Sequence, residues 1–134
     1  MSVQQKNYFR MPNEIFSLGL SPGEFAVYAY LLHCENWSTH QCRPSYATIS
    51  KAVGMSRKTV QKHVWALAEK GLIRTEETTV RRKSGLVCNG SLLYTLKPIQ
   101  QVMREREKKF LDELKLAEAQ RKWAQRQDTA TPKA

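Results

Sequence analysis

A chain of 134 residues is the length of one domain with room for an appended element. Hydrophobic content of 41% supports a small core, and 22 Lys and Arg against 12 Asp and Glu leave a net charge of +10, which favours a polyanionic partner, nucleic acid before an acidic membrane surface. The longest apolar run, Phe25 to Leu32, is far shorter than the roughly 20 residues a membrane span needs, and the first residues lack the apolar core of a signal peptide. Three cysteines, Cys34, Cys42 and Cys88, are an odd number without framework spacing, so a reducing cytoplasm is the expected setting.

Residues 1–20 read as an irregular N-terminal arm broken by Pro12 and Gly19, with Tyr8, Phe9, Ile15, Phe16 and Leu18 available to cover a core. Ser21-Pro22-Gly23-Glu24 marks a helix start: Ser21 can cap, Pro22 suits the first helical position and Glu24 completes a capping box. The helix predicted over about 22–35 has an apolar stripe at Phe25, Tyr28, Ala29 and Leu32. Val27, Tyr30 and Leu31 make it apolar nearly all round, so it is expected to be covered on more than one side, by the chain's own termini or by a second subunit.

Residues 36–44 form a polar link ending at Pro44. Ser45 caps the next helix, which turns Ile49, Ala52 and Val53 inward. Gly54 suits a left-handed turn, Met55 plugs it, and Ser56 caps a third helix. Val60, Val64 and Leu67 recur at i, i+4 and i+7 and form that helix's buried side, and Gly71 stops it. Leu72–Glu77 and Ser91–Leu96 read as strands, joined by a loop over 78–90 that carries Arg81-Arg82-Lys83. A helix follows Pro98 to about Gln127, roughly 45 Å long. Met103, Phe110, Leu114 and Ala117 share one side of it, among alternating charges that suit a solvated helix. Residues 128–134 are expected to be a disordered tail.

Two short helices joined at a glycine, the second with a basic outer side, have the layout of a helix-turn-helix, whose second helix enters the DNA major groove. With Val60 at zero on a helical wheel, Lys58, Lys62, Trp65 and Glu69 fall roughly 140–200° away. Arg57, Lys58, Gln61 and Lys62 therefore face outward near the helix start. Arg and Lys can pair with guanine O6 and N7, and Gln with adenine N6 and N7. These four are candidates for base edges and nearby phosphates. Ser45, Tyr46, Thr59, Arg81, Arg82 and Lys83 are candidates for backbone contact, with Ser45 and Ser56 also marking helix N-termini where N–H groups can hold a phosphate. Residues 43–97 hold eleven basic and three acidic side chains, so this half carries most of the excess charge. The bland alternative is a solvated basic face. Trp65 points outward and is expected to pack on the residue 78–90 loop or the C-terminal helix. His63 lies on the flank towards the core, as a packed imidazole.

Cys42-Arg43-Pro44-Ser45, Ile49 to Ser56, Thr59-Val60 and Leu67 to Ile73 resemble a large family of bacterial and phage winged helix-turn-helix domains. Tyr8-Phe9-Arg10-Met11-Pro12-Asn13-Glu14-Ile15-Phe16, Leu20-Ser21, Ala26-Val27-Tyr28 and Asn89-Gly90-Ser91-Leu92-Leu93-Tyr94 are similar to the N-terminal domain of plasmid replication initiator protein A, a type also found in integrative and conjugative elements of Firmicutes. The resemblance covers about residues 8–97 and implies duplex DNA binding, often as a dimer, through the third helix and a wing. Two positions depart from the pattern: Ser50 stands where Ala is favoured, and His63 where an apolar residue is. The initiator family continues into a further C-terminal domain, where this chain has one helix.

The expected fold is mainly α, a winged helix-turn-helix with a three-helix core and a two-stranded β wing, plus a long C-terminal helix. Its divisions fall at 1–20, 21–97, 98–127 and 128–134. The expected function is sequence-specific DNA binding, as a transcription regulator or the origin-binding part of a replication initiator. A homodimer supported by the first and last helices is expected. The alternatives are a protein-interaction adaptor built on the same fold and a nonspecific nucleic-acid binder. His33, Cys34, His40 and Cys42 lie close in sequence but lack the usual CxxC or HxxxH zinc spacing. No metal, cofactor or small-molecule ligand is expected, and the absence of a phosphate-binding glycine loop or a nucleophile motif argues against an enzyme.

Overall fold

The computed structural model describes residues 7–130. The chain divides into two compact units, the first ending at Ile99 and the second beginning at Gln100. In the first unit a short 3-10 turn, Asn13–Ser17, precedes α1 (Pro22–Cys34), β1 (Gln41–Cys42), α2 (Tyr46–Val53), α3 (Arg57–Glu69), β2 (Ile73–Glu76), β3 (Thr79–Arg81), β4 (Val87–Asn89) and β5 (Leu93–Leu96). The second unit is formed by α4 (Ile99–Ala130). The arm is thus less irregular than its breakers suggest. α4 continues a turn beyond Gln127, and residues 131–134, the rest of the expected tail, lie outside the described residues, as do residues 1–6 of the arm.

The helix starts follow local chemistry. Ser21 Oγ accepts from the Glu24 N–H, and Glu24 accepts from the Ser21 N–H, a closed capping box with Pro22 at the first helical position. Ser45 and Ser56 accept from the Thr48 and Thr59 N–H groups at 3.1 and 3.2 Å. Between α2 and α3 the chain turns at Gly54, whose φ of 72° lies in the left-handed region. The Ser50 hydroxyl closes that turn by donating to the Met55 carbonyl, which gives Ser a use where Ala is usual.

The buried face of α1 is Val27, Tyr28 and Leu31, with Glu24, rather than the stripe of Phe25, Tyr28, Ala29 and Leu32. A helix apolar on every side carries no moment to show which side turns inward, and α1 packs against α2, α3 and β5 of its own chain. From the arm, Ile15 and Leu18 are buried, while Phe16 stacks on Phe25 at 5.7 Å yet stays 86% exposed. Tyr8 and Phe9 are exposed as well, Phe9 meeting His33 edge-on at 5.2 Å. In α2 only Ile49 is fully buried; Ala52 faces solvent, because so short a helix presents one turn's width to α1 and α3.

Three strands, β1, β3 and β4, were not legible as such. Gln41–Cys42, within the expected polar link, pairs antiparallel with β5, placing Gln41 opposite Thr95 and Cys42 opposite Tyr94. β5 also pairs with β2 from Ile73–Leu96 to Glu76–Leu93, giving the order β1-β5-β2. The residue 78–90 loop is itself a hairpin, with Thr79, Val80 and Arg81 opposite Asn89, Cys88 and Val87. At its base Gly90 lies so close to the opposite arm that a Cβ there would sit 2.7 Å from Thr78 Oγ1 and 2.9 Å from Val80 Cγ2.

Lys70, at the end of α3, donates to the Gly19 carbonyl at 2.8 Å and to Glu24. The Lys70 ammonium, followed by the Ser21 N–H, holds the Glu24 carboxyl below its ordinary range. His63 packs against the first turn of α1, with its ring where a Gly23 side chain would be: a Cβ on Gly23 would lie 2.2 Å from His63 Nε2. This explains an imidazole at a position where the fold usually has an apolar residue. Gly23→Ala is accordingly expected to destabilise the protein by about 1–3 kcal/mol, and by much less in a His63→Ala background. Thermal melts of the two singles and the double check this, and additive losses would count against the contact.

Candidate nucleic-acid interface

α3 is held by Val60, Val64 and Leu67, all fully buried, which fixes the rotation of its outer side. Arg57, Lys58 and Lys62 are exposed there, and Gln61 and Thr59 are partly exposed. The Thr59 hydroxyl is engaged, accepting from Ser56 Oγ at 2.8 Å, so Thr59 serves the cap and has its methyl to offer.

An open groove of about 930 Å³ runs between the start of α2, the outer side of α3 and the base of the hairpin. Ser45, Tyr46, Arg57, Gln61 and Trp65 line one side, and Thr78, Val80, Asn89 and Gly90 the other. It brings together candidates that are far apart in sequence. Lys58 and Lys62 lie outside this lining, on the exposed surface of α3. Arg81, Arg82 and Lys83 stand exposed at the far end of the hairpin, where Gly85, at φ 86°, closes the turn and the Arg82 N–H donates to the Leu86 carbonyl at 2.8 Å. Burial raises the Tyr46 pKa, and it raises that of Tyr94 at the groove floor further, so both stay protonated and uncharged.

Trp65 does not pack away as expected. It is 63% exposed and forms part of the groove wall. The lining residues Thr75, Thr78, Asn89 and Ser91 were not anticipated; their only sequence signal is a run of small polar residues flanking the basic loop.

His33, Cys34, His40 and Cys42 each have a partner within the fold: His33 meets Phe9 and Tyr30, and Cys34 meets Tyr30. His40 Nδ1 lies 2.8 Å from Glu35, and Cys42 Sγ donates to the Leu31 carbonyl. Burial, with Cys34 and Glu35 nearby, pushes the Cys42 thiol up to about 12. Among the described residues no three His, Cys, Asp or Glu side chains gather to hold a metal ion, and no helix is long and apolar enough to cross a membrane.

No curated protein matches the chain. A solved structure described as a possible transcriptional regulator from Methanosarcina mazei Go1 is similar in fold, with a TM-score of 0.50 at 15% identity, covering 86% of this chain and 98% of that one. Residues 18–73, from the end of the arm through α3 to the first residue of β2, match a helix-turn-helix domain family. Residues 18–73 thus have a helix-turn-helix fold, within a mainly α chain that carries a small antiparallel sheet.

Proposed function

We propose that this protein binds a specific sequence in duplex DNA, with the first two turns of α3 in the major groove and the β3–β4 hairpin acting as a wing on the adjacent backbone. The observation that carries this is the outer side of α3. Arg57, Lys58, Gln61 and Lys62 project together from the second helix of a helix-turn-helix, and a buried row opposite fixes their direction. These residue types match the donor and acceptor patterns of guanine and adenine edges. The Ser45 and Ser56 N-termini and Arg81, Arg82 and Lys83 supply backbone contacts, which set register. The same site serves a transcription regulator or the origin-binding part of a replication initiator, in the cytoplasm and without a cofactor.

Selection of bound fragments from a random duplex library tests this. An enriched motif is expected, and Gln61→Ala is expected to relax preference at one adenine-containing position while leaving the rest intact. A motif beside the gene's own promoter favours a regulator; an iterated array favours an initiator. Failure to enrich any motif at moderate salt would overturn sequence-specific binding and leave the adaptor reading.

A further inference from the structure

The middle of α4 carries apolar side chains in water. Phe110 is 58%, Leu114 51% and Leu111 46% exposed. Met103, Glu107, Phe110, Leu114, Ala117, Arg121 and Ala124 follow one another at alternating spacings of four and three, the repeat of a seam between two paired helices. The seam is apolar at its centre and charged at both sides of that centre, with opposite signs: Glu107 before it and Arg121 after it. Beside the seam the order is reversed, with Arg104 before, Leu111 at the centre and Glu118 after.

We propose that α4 pairs antiparallel with α4 of a second copy, about a two-fold axis passing between Phe110 and Leu114. A parallel pair would set Glu107 against Glu107 and Arg121 against Arg121 inside the seam. The antiparallel pair packs Phe110 on Leu114 of the second copy, twice, and Leu111 on Leu111. It places Arg104 opposite Glu118 of the second copy, also twice. Glu107 then meets the small Ala117 and lies within a turn of the opposing Arg121, and Met103 lies along that Arg121 side chain. Glu113 faces its own copy on the solvent rim, where a like-charge pair is well screened. Leu116 and Trp123 lie on another side of the helix and take no part. Antiparallel pairing relates the two copies by a two-fold, so the copies would read an inverted repeat. The pairing itself stands independently of DNA binding.

Sedimentation of the full chain from roughly 1 to 100 µM, without DNA, tests the proposal. A dimer is expected, and Phe110→Ala with Leu114→Ala is expected to leave a monomer. The orientation is read from a charge swap. Arg104 and Glu118 are fourteen residues apart on one helix, about 21 Å along its axis, so they can interact only between copies. Arg104→Glu and Glu118→Arg are each expected to weaken the dimer roughly tenfold, and the double variant to recover to within about threefold of the wild type. Glu118→Arg also removes an exposed contact to Lys122 at 3.4 Å, so recovery in the double is the decisive readout. A wild-type monomer throughout the range would overturn pairing. A double variant no tighter than the singles would overturn the antiparallel register. A monomer that still enriches a DNA motif would leave the proposed function intact.

Discussion

Replacing Arg57, Lys58 and Lys62 together by Ala is expected to lower affinity for duplex DNA by roughly 10²–10⁴, with no loss of thermal stability. All three side chains are exposed, and no ion pair or hydrogen bond ties them to the rest of the fold among the contacts described above. On the proposed reading their charge is left for the DNA backbone and base edges. Each phosphate neutralised releases about one counterion, so a logarithmic plot of affinity against salt should become shallower by up to roughly three units. Fluorescence anisotropy across a salt series measures both quantities. An unchanged slope would mean that these residues are a solvated face and that DNA, if bound, is held elsewhere.

Leu67→Ala is expected to have the complementary signature. Leu67 is fully buried on the inner side of α3, which packs on α1, α2 and β2. Truncating such a side chain removes its burial and leaves a cavity, at a cost of about 2–5 kcal/mol. For a domain of this size that is a large share of a typical total stability and lowers the melting temperature by roughly 10 °C or more. Binding should fall only in proportion to the unfolded fraction, and recover on cooling within the folded range. Circular dichroism melts alongside binding at low temperature check this. A Leu67→Ala protein that melts like the wild type would show that α3 is not held by the row described.

The parts of this molecule that rest on one-residue chemistry were legible in the sequence. Ser21, Ser45 and Ser56 cap because a short hydroxyl can reach the third N–H, and Gly54 and Gly71 break because they alone adopt positive φ without strain. The outer side of α3 was legible because Val60, Val64 and Leu67 fix the phase of the helix. What depends on partners distant in sequence was not. β1 is two residues long and exists because β5 offers it an edge. β3 is exposed throughout and β4 has only Cys88 half-buried, so no run of alternating polar and buried apolar residues marks them. The inner face of α1 is chosen by its neighbours, not by its own pattern. The groove is a product of tertiary placement, and its hairpin side has no motif of its own.

The pairing of Ile73 with Leu96 and of Glu76 with Leu93 seals the base of the hairpin at the core. Everything between Glu77 and Leu92 hangs from that seal and contributes little to the buried interior. Because loop-closure entropy grows only logarithmically with length, residues can be added to or removed from the hairpin at small cost to stability. If the proposed function holds, reach along the backbone and choice of base are carried by separate parts of the chain: one can lengthen or shorten over generations while α3, locked to the interior, keeps its orientation.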